Sequence, residues 1–318
     1  MRRSRRCLFA LLSSLIAAPA LGAAPFSFPV FNQGALARLH ALPAPDAAGG
    51  DSGGRVQLDW TTEFLLEESG GEAVELDGEA LRLSLTQRWT WAGWRLSAEL
   101  PLLTTTGGVL DAGIEQWHDW FGLPNGGREQ RPRDQYRYTY IRDGATVFDV
   151  RDRGTRLGDL RLGAANCSEE LRCLRAMLQL PTGDADRLEG GGLGAALWYE
   201  HGFRLGETER WTGSWAAGAS ATQADGPLQD QVEPLVPFGR VALAYGLTER
   251  LDAGVQFYAH APLYDDSGLD ALSRYGGQLA FGFAYTASER LRWTAALQED
   301  IVTSSSPDFS IHLGVEWR

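Results

Sequence analysis

The sequence predicts an all-β protein: an antiparallel up-and-down transmembrane β-barrel of about 12 strands carrying a helix-plus-hairpin extracellular insertion. Three observations predict it. Phe309, Ile311, Leu313, Val315 and Trp317 alternate with Ser310, His312, Gly314 and Glu316. That period of two recurs along the chain in segments of about ten residues, as strands between lipid and a lumen require. Short turns and long polar loops separate the segments in turn.

The chain opens with Arg2, Arg3, Arg5 and Arg6, an apolar run from Leu8 to Ala18 and small residues at Ala20-Leu21-Gly22. This reads as a signal peptide over 1–22. Residues 23–54 are expected as a periplasmic N-terminal segment and 55–318 as the barrel. The chain has 29 basic and 41 acidic residues; without the four signal arginines, 25 against 41 leaves −16. Every basic residue is arginine. An acidic balance argues against nucleic acid, which selects a basic face. No apolar stretch after the signal is long enough for a membrane-spanning helix.

Val56, Leu58, Trp60, Phe64 and Leu66 form the apolar face of the first strand. Leu81, Leu83, Leu85 and Trp89 form that of the second, and after Ala92-Gly93 come Leu96, Ala98, Leu100 and Leu102. Further strands are read around 160–164, 174–180, 193–199, 211–219, 241–245, 251–259, 279–285, 291–297 and 309–317. Short turns fall at 92–93, 248–250 and 286–289. Longer loops fall at 67–79, 103–156, 181–192, 220–236, 261–275 and 298–308. Short periplasmic turns and long outer loops are the outer-membrane arrangement, which puts both termini in the periplasm. Trp89, Trp94, Tyr199, Trp211, Tyr245, Tyr285, Trp293 and Trp317 are expected as an interfacial girdle. Phe309, Ile311, Leu313, Val315 and Trp317 are the expected assembly signal. Cys167 and Cys173 flank a short polar connection in an oxidising compartment and are expected to form a disulfide.

Residues 103–156 are too long for a plain connection. Ile114, Trp117, His118 and Phe121 share one face of a short helix that Asp111 can cap. Asp143-Gly144 is a hairpin turn. With Trp120 and Arg128, the residues Trp117, His118 and Phe121 are the candidate gate or plug. The bland alternative is a lid packed on the rim. The arginines of this stretch can meet lipopolysaccharide phosphates, but seven acidic residues from Glu115 to Asp152 offer internal partners.

The run Ile114-Glu115-Gln116-Trp117-His118-Asp119-Trp120-Phe121-Gly122-Leu123-Pro124-Asn125-Gly126-Gly127-Arg128 resembles an uncharacterised proteobacterial outer-membrane family, catalogued only as a domain of unknown function. Leu180-Pro181-Thr182-Gly183-Asp184-Ala185-Asp186 and His260-Ala261-Pro262-Leu263-Tyr264-Asp265 support the resemblance across nearly the whole mature chain. It implies a barrel and no catalytic residue.

On the lumen face, Arg82, Arg88, Arg95, Glu99, Asp159 and Arg161 form a candidate charge ladder. Later strands contribute mainly small groups, among them Gly194, Ala196, Ser214, Ala242, Gly254 and Ala296. A solute pathway along that bare wall, facing the charges, is one expectation. A closed interior, filled by the charges and by 103–156, is the other. No histidine stands with a serine in a hydrolase-like setting, so no catalytic residue is expected. No metal, cofactor or nucleic acid is expected either: the acidic loop clusters at 67–77, 184–189 and 265–270 lack an EF-hand spacing. The expected function is a pore or transporter for small solutes. A structural or ligand-binding barrel without transport comes next and a lipid-modifying enzyme third. Expected partners are outer-membrane lipids, lipopolysaccharide and the barrel assembly machinery of a Gram-negative bacterium.

Overall fold

The computed structural model describes residues 26–45, 52–122, 127–128, 131–168, 171–206, 210–223, 225–302 and 304–318, with the side chains of Trp117, His118 and Phe121 outside that description. The expected signal peptide, 1–22, lies outside the described residues.

Period-two alternation makes each barrel strand, because successive side chains of a strand point to opposite faces. Strands β1 (Gly53–Ser69), β2 (Glu72–Trp91) and β3 (Trp94–Thr106) form a meander. Helix α1 (Asp111–Phe121), the hairpin β4 (Arg137–Arg142) and β5 (Ala145–Val150), and β6 (Gly154–Leu157) follow. The barrel resumes with β7 (Leu160–Cys167), β8 (Arg172–Leu180), β9 (Leu193–Leu205), β10 (Trp211–Gln223), β11 (Leu235–Gly246) and β12 (Leu251–His260). The turn α2 (Asp270–Ser273) precedes β13 (Gly276–Ser288), β14 (Leu291–Val302) and β15 (Phe309–Trp317). Each barrel strand pairs antiparallel with the next, β3 pairs with β7, and β15 returns to β1 from Gly54↔Trp317 to Thr62↔Phe309. Among the described residues this is a closed barrel of 12 strands. Closure gives every strand two partners and leaves no unpaired edge for lipid to meet.

The polar face of β15 is buried inward while Leu313 and Trp317 stand exposed. Trp89, Trp94, Trp211, Trp293 and Trp317 are likewise exposed and cluster at the short-turn end; there Trp211 faces Tyr245 across β10 and β11 at 4.9 Å. The girdle is therefore concentrated at one end. Cys167 and Cys173, directly paired across β7 and β8, are disulfide-bonded at the same end.

One expectation changes. Residues 67–79 are not a loop: β1 and β2 continue to a Gly70-Gly71 turn, both at positive φ. The extension is stable because β2 pairs there with β4, from Glu72↔Arg142 to Asp77↔Arg137. Of the segment 23–54, the described stretch from Phe26 to Pro45 is almost wholly buried against inward-facing side chains of the barrel. Its density of Phe26, Phe28, Val30, Phe31, Leu36, Leu39 and Leu42 makes burial favourable, at about 25 cal/mol per Å² of apolar surface removed from water.

Leu313 sits midway along an outward row. Leu313→Arg should cost about 2–4 kcal/mol at the bilayer midplane and abolish the heat-modifiable band of folded barrel in the membrane fraction. Thiol reagents should label the mature protein only after reduction.

Candidate functional site

The luminal segment forms a U. Its first limb follows β11–β14: Phe26, Phe28 and Val30 pack on Ala242, Ala244, Ala280, Ala284 and Ala296. Small residues are required there. A Cβ on Gly254 would stand 2.2 Å from the Phe26 ring, and one on Gly194 2.5 Å from Ala41. The limb pairs with no strand, so side chains satisfy its backbone, as burial demands. Gln256 accepts from Phe28 N–H at 2.8 Å and donates to Phe28 O at 2.9 Å. Ser214 donates to Phe26 O at 2.8 Å and Gln57 to Pro29 O at 3.0 Å.

At the long-loop end the chain turns through a 3-10 turn at Ala37–Leu39. Glu63 accepts from Ala35 N–H at 2.9 Å and from the Tyr138 hydroxyl at 2.9 Å, and pairs with Arg38 at 3.5 Å. Tyr264 donates to Leu36 O at 2.6 Å, and Asn32 lies 2.8 Å from His260. The descending limb returns along β8–β10, where Thr222 accepts from Ala41 N–H at 2.9 Å.

A cap covers this turn. Tyr138, Tyr140 and Phe148 of the hairpin, with Leu188, Leu228, Leu263, Leu269 and Leu272 of the other long loops, bury their side chains around Leu36 and Leu39. Carboxylates pin the loops down. Glu67 accepts from Asp270 and Ala271 N–H at 2.7 and 2.9 Å. Glu72 accepts from Tyr140 and from Gly268 N–H. Burial alone would raise the Glu72 carboxyl, but the hydrogen bonds from Tyr140, Gly268 and Ser267 and the nearby Arg142 outweigh it and hold it below its ordinary value.

The sequence-derived candidates divide. Arg82 and Glu99 pair at 2.7 Å and Arg88 pairs with Glu316 at 3.0 Å. Arg161 and Arg82 stack on Phe31 with guanidinium carbons 4.7 and 5.5 Å from the ring centre. Arg88, Arg95, Glu99 and Arg161 line one internal cavity. Asp159 does not join the ladder: it accepts from Gly183, Gly191 and Gln179 at 2.8, 2.9 and 3.0 Å and anchors the loop after β8. Thr182 completes the anchor, accepting from Leu160 N–H and donating to Gly158 O. The Pro-Thr-Gly stretch is thus a loop clasp.

Among the described residues, the N-terminal segment Phe26–Pro45 fills the lumen. Ile114 of α1 is buried while Trp120 is exposed; the side chains of Trp117, His118 and Phe121 lie outside the described residues. Arg128 is a rivet: it bonds Asp111 at 2.7 Å and Asp308, over the Phe64 ring. Asp111 therefore holds Arg128 and, at 3.2 Å, Asp134 N–H. Other insertion arginines pair on the rim and loops, Arg137 with Glu75 at 3.1 Å and Arg142 with Asp266 at 2.8 Å.

The later wall is not uniformly bare. Fully buried Arg240 bonds Glu200 at 2.6 Å and Ser214 at 2.7 Å, and Glu200 also meets Arg175 at 2.6 Å. The alternation could have revealed both, since Glu200 and Arg240 fall on inward positions. A cavity of about 110 Å³ remains between the charged wall and Pro43-Ala44. Among the described residues no group of His, Cys, Asp and Glu is arranged to hold a metal ion.

These features define a class: a closed 12-stranded outer-membrane β-barrel whose lumen is occupied by its own N-terminal segment. The chain belongs to the family described as protein of unknown function (DUF3187), matched over residues 4–318. No curated protein matches it in sequence. Among solved structures it is similar to the COG4313 outer membrane channel from Pseudomonas putida F1, at 14% identity over 88% of this chain and 97% of that one, with a TM-score of 0.52. The NanC porin shows 8% identity over 83% and 99%, with a TM-score of 0.46. The Pseudomonas putida toluene transporter TodX shows 11% identity over 91% and 98%, with a TM-score of 0.42.

Gly254→Leu should expel Phe26, an overpacking cost of about 1–3 kcal/mol. Trypsin, which cannot reach buried Arg38 in the parent protein, should then cleave after it. Because the Glu72 pKa is depressed, its contribution is present above 4.5, its ordinary value, and is lost as pH falls through the lower folded value. Amide exchange at Gly268 should accelerate at that acid edge in the parent and show no such edge in Glu72→Gln.

Proposed function

We propose that this protein is an outer-membrane channel for small polar solutes, closed by the segment Phe26–Pro45. The observation that carries the reading is the nature of the luminal filling. It is a separate stretch of chain that forms no strand pair with the wall. Its hydrogen bonds run mostly to side chains, which a solvated lumen can replace with water. A barrel closed by its own wall residues would need none of this. The COG4313 channel shares the fold, and its name agrees with this reading.

The short-turn end is assigned to the periplasm, following the asymmetry of turns and loops. Both ends of the U then face that side: Phe26 lies beside Gly254, and Pro43 and Ala44 beside Arg95. The segment can withdraw towards the periplasm without crossing the cap. Outer-membrane lipids would contact the exposed apolar rows, lipopolysaccharide the outer loops, and the assembly machinery the row from Phe309 to Trp317. Lipid hydrolysis is disfavoured: His260 and His312 are spent inward, on Asn32 and on Asp59 at 2.7 Å.

Planar-bilayer conductance tests the proposal. A protease site placed in 46–51 leaves the barrel intact and frees the segment. Steady single-channel steps should appear after cleavage and washing in mild denaturant, and the uncut protein should be silent or flicker. Silence in both, with the segment shown to have left, would sink the channel reading.

A further inference from the structure

Helix α1 lies against the outside of the barrel. Glu63 points inward to Ala35, so its neighbours Thr62 and Phe64 point outward, continuing the row of Val56, Leu58 and Trp60. Outward side chains there would stand open, yet Thr62 and Phe64 are buried. The insertion covers them. Arg128 donates to Thr62 Oγ1 at 3.4 Å and lies over the Phe64 ring. On β2, Glu79 stands opposite Thr62 and is buried as well. It accepts from Leu110 N–H at 2.6 Å and from the Trp60 indole at 2.8 Å. Asp111, bonded to Arg128, and Ile114 are buried, so this side of α1 faces the outer wall.

The height of the contact is set by β2. Below Glu79 its outward row reads Leu81, Leu83, Leu85, Gln87 and Trp89. From Trp89 to Glu79 the strand climbs about 33 Å, or about 25 Å along a barrel axis inclined roughly 40° to it. That matches the height of the lipid-facing apolar band of such barrels. Helix α1 therefore lies where acyl chains give way to headgroups, at the long-loop end.

Its free side carries an aromatic. Trp120 follows Asp111 by two and a half turns, at about 3.6 residues per turn, and so points away from the wall. It is 72% exposed, as is Val109 just before the helix, and no large apolar residue among those described is more exposed. A Cβ on Gly113, about two turns before Trp120, would meet nothing within 4 Å. At this height, away from the wall means into the membrane, and an indole favours that boundary.

We propose that α1 anchors the insertion in the lipid leaflet at the long-loop end, with Trp120 and Val109 seated between acyl chains and headgroups. Lipid is the occupant because this surface is continuous with the rows of β1 and β2 that meet lipid below it. Interfacial helices lie in the membrane plane with their apolar side about 5–10 Å deep. The anchor needs no open lumen, so it stands apart from the channel reading. It bears on the cap all the same. Asp111 holds both Arg128 and the Asp134 N–H, just before the hairpin that roofs the luminal turn through Tyr138.

Fluorescence in vesicles tests the anchor. Cys167 and Cys173 are bonded, so Trp120→Cys gives the mature chain a single site for an environment-sensitive label. The protein is refolded into phosphatidylcholine vesicles that carry nitroxide lipids, labelled either near the headgroup or at mid-chain. Ala145→Cys, beside the hairpin turn, is the aqueous reference, and Leu85→Cys the reference within the apolar band. The label at Trp120→Cys should emit to the blue of that at Ala145→Cys. The nitroxide near the headgroup should quench it more than the mid-chain one, the reverse of Leu85→Cys. Heat-modifiability confirms that each variant is folded. Because the label is itself apolar, the parent and Trp120→Phe are also compared in brominated lipid. The emission lost in Trp120→Phe should be emission that bromine near the headgroup quenches. A label at Trp120→Cys that emits as at Ala145→Cys and escapes quenching would overturn the anchor. So would a quenched label beside an unquenched native indole, since the label would then have driven the contact.

Discussion

The structure depends on one constraint: a stretch of backbone without a strand partner is held inside a barrel, away from bulk water. Each of its amides and carbonyls needs a bond or a costly vacancy results. The inward faces of the strands supply those bonds side chain by side chain. Gln256 brackets Phe28, Gln57 and Ser214 take Pro29 and Phe26, Glu63 takes Ala35, and Thr222 takes Ala41. Proline at Pro29 and Pro43 removes two donors that would otherwise need partners.

The two walls of the lumen then answer to different demands. Beside the first limb the barrel gives up side-chain volume, with alanine and glycine from β11 to β14, so that Phe26 and Phe28 fit. On the opposite wall guanidinium groups pair, stack on Phe31 and, with Pro43 and Ala44 of the second limb, surround a cavity. Close packing on one side and residual polar space on the other agree with a filling that is seated yet removable. The stretches that carry the family resemblance gather around the same turn and cap. The His260–Asp265 run holds Asn32 and Leu36, the Pro-Thr-Gly run clasps Gly158-Asp159, and Arg128 rivets α1 to the rim.

The alternation of side chains carried the fold: strand number, the inward assignment of Arg82, Arg88, Arg95, Glu99 and Arg161, and the split between short turns and long loops. Asp143-Gly144 marked the hairpin of the insertion, since both residues adopt positive φ. Asp159 misled because a luminal position and a loop anchor look identical in a period-two pattern. The hairpin extension of β1 and β2 escaped notice because its support, β4, lies about 65 residues away. The luminal segment left a trace of its own: aromatic residues at 26–31 in a supposed tail, and a wall of small residues on the facing strands. Interiors do not leave such volume empty.

What the sequence alone determined is local and periodic: which face of each strand meets lipid, where the chain turns, and which residues carry charge inward. These follow from two-residue geometry and from turn chemistry, which act over neighbouring residues. Only the tertiary structure decided that Phe26–Pro45 fills the barrel, that the tyrosines of the insertion roof it, and that Arg88, Arg95, Glu99 and Arg161 line one cavity. Those outcomes depend on closure and on complementary volume between residues up to about 270 positions apart, as between Asn32 and Ser305. No pattern within a single strand encodes a fit of that kind.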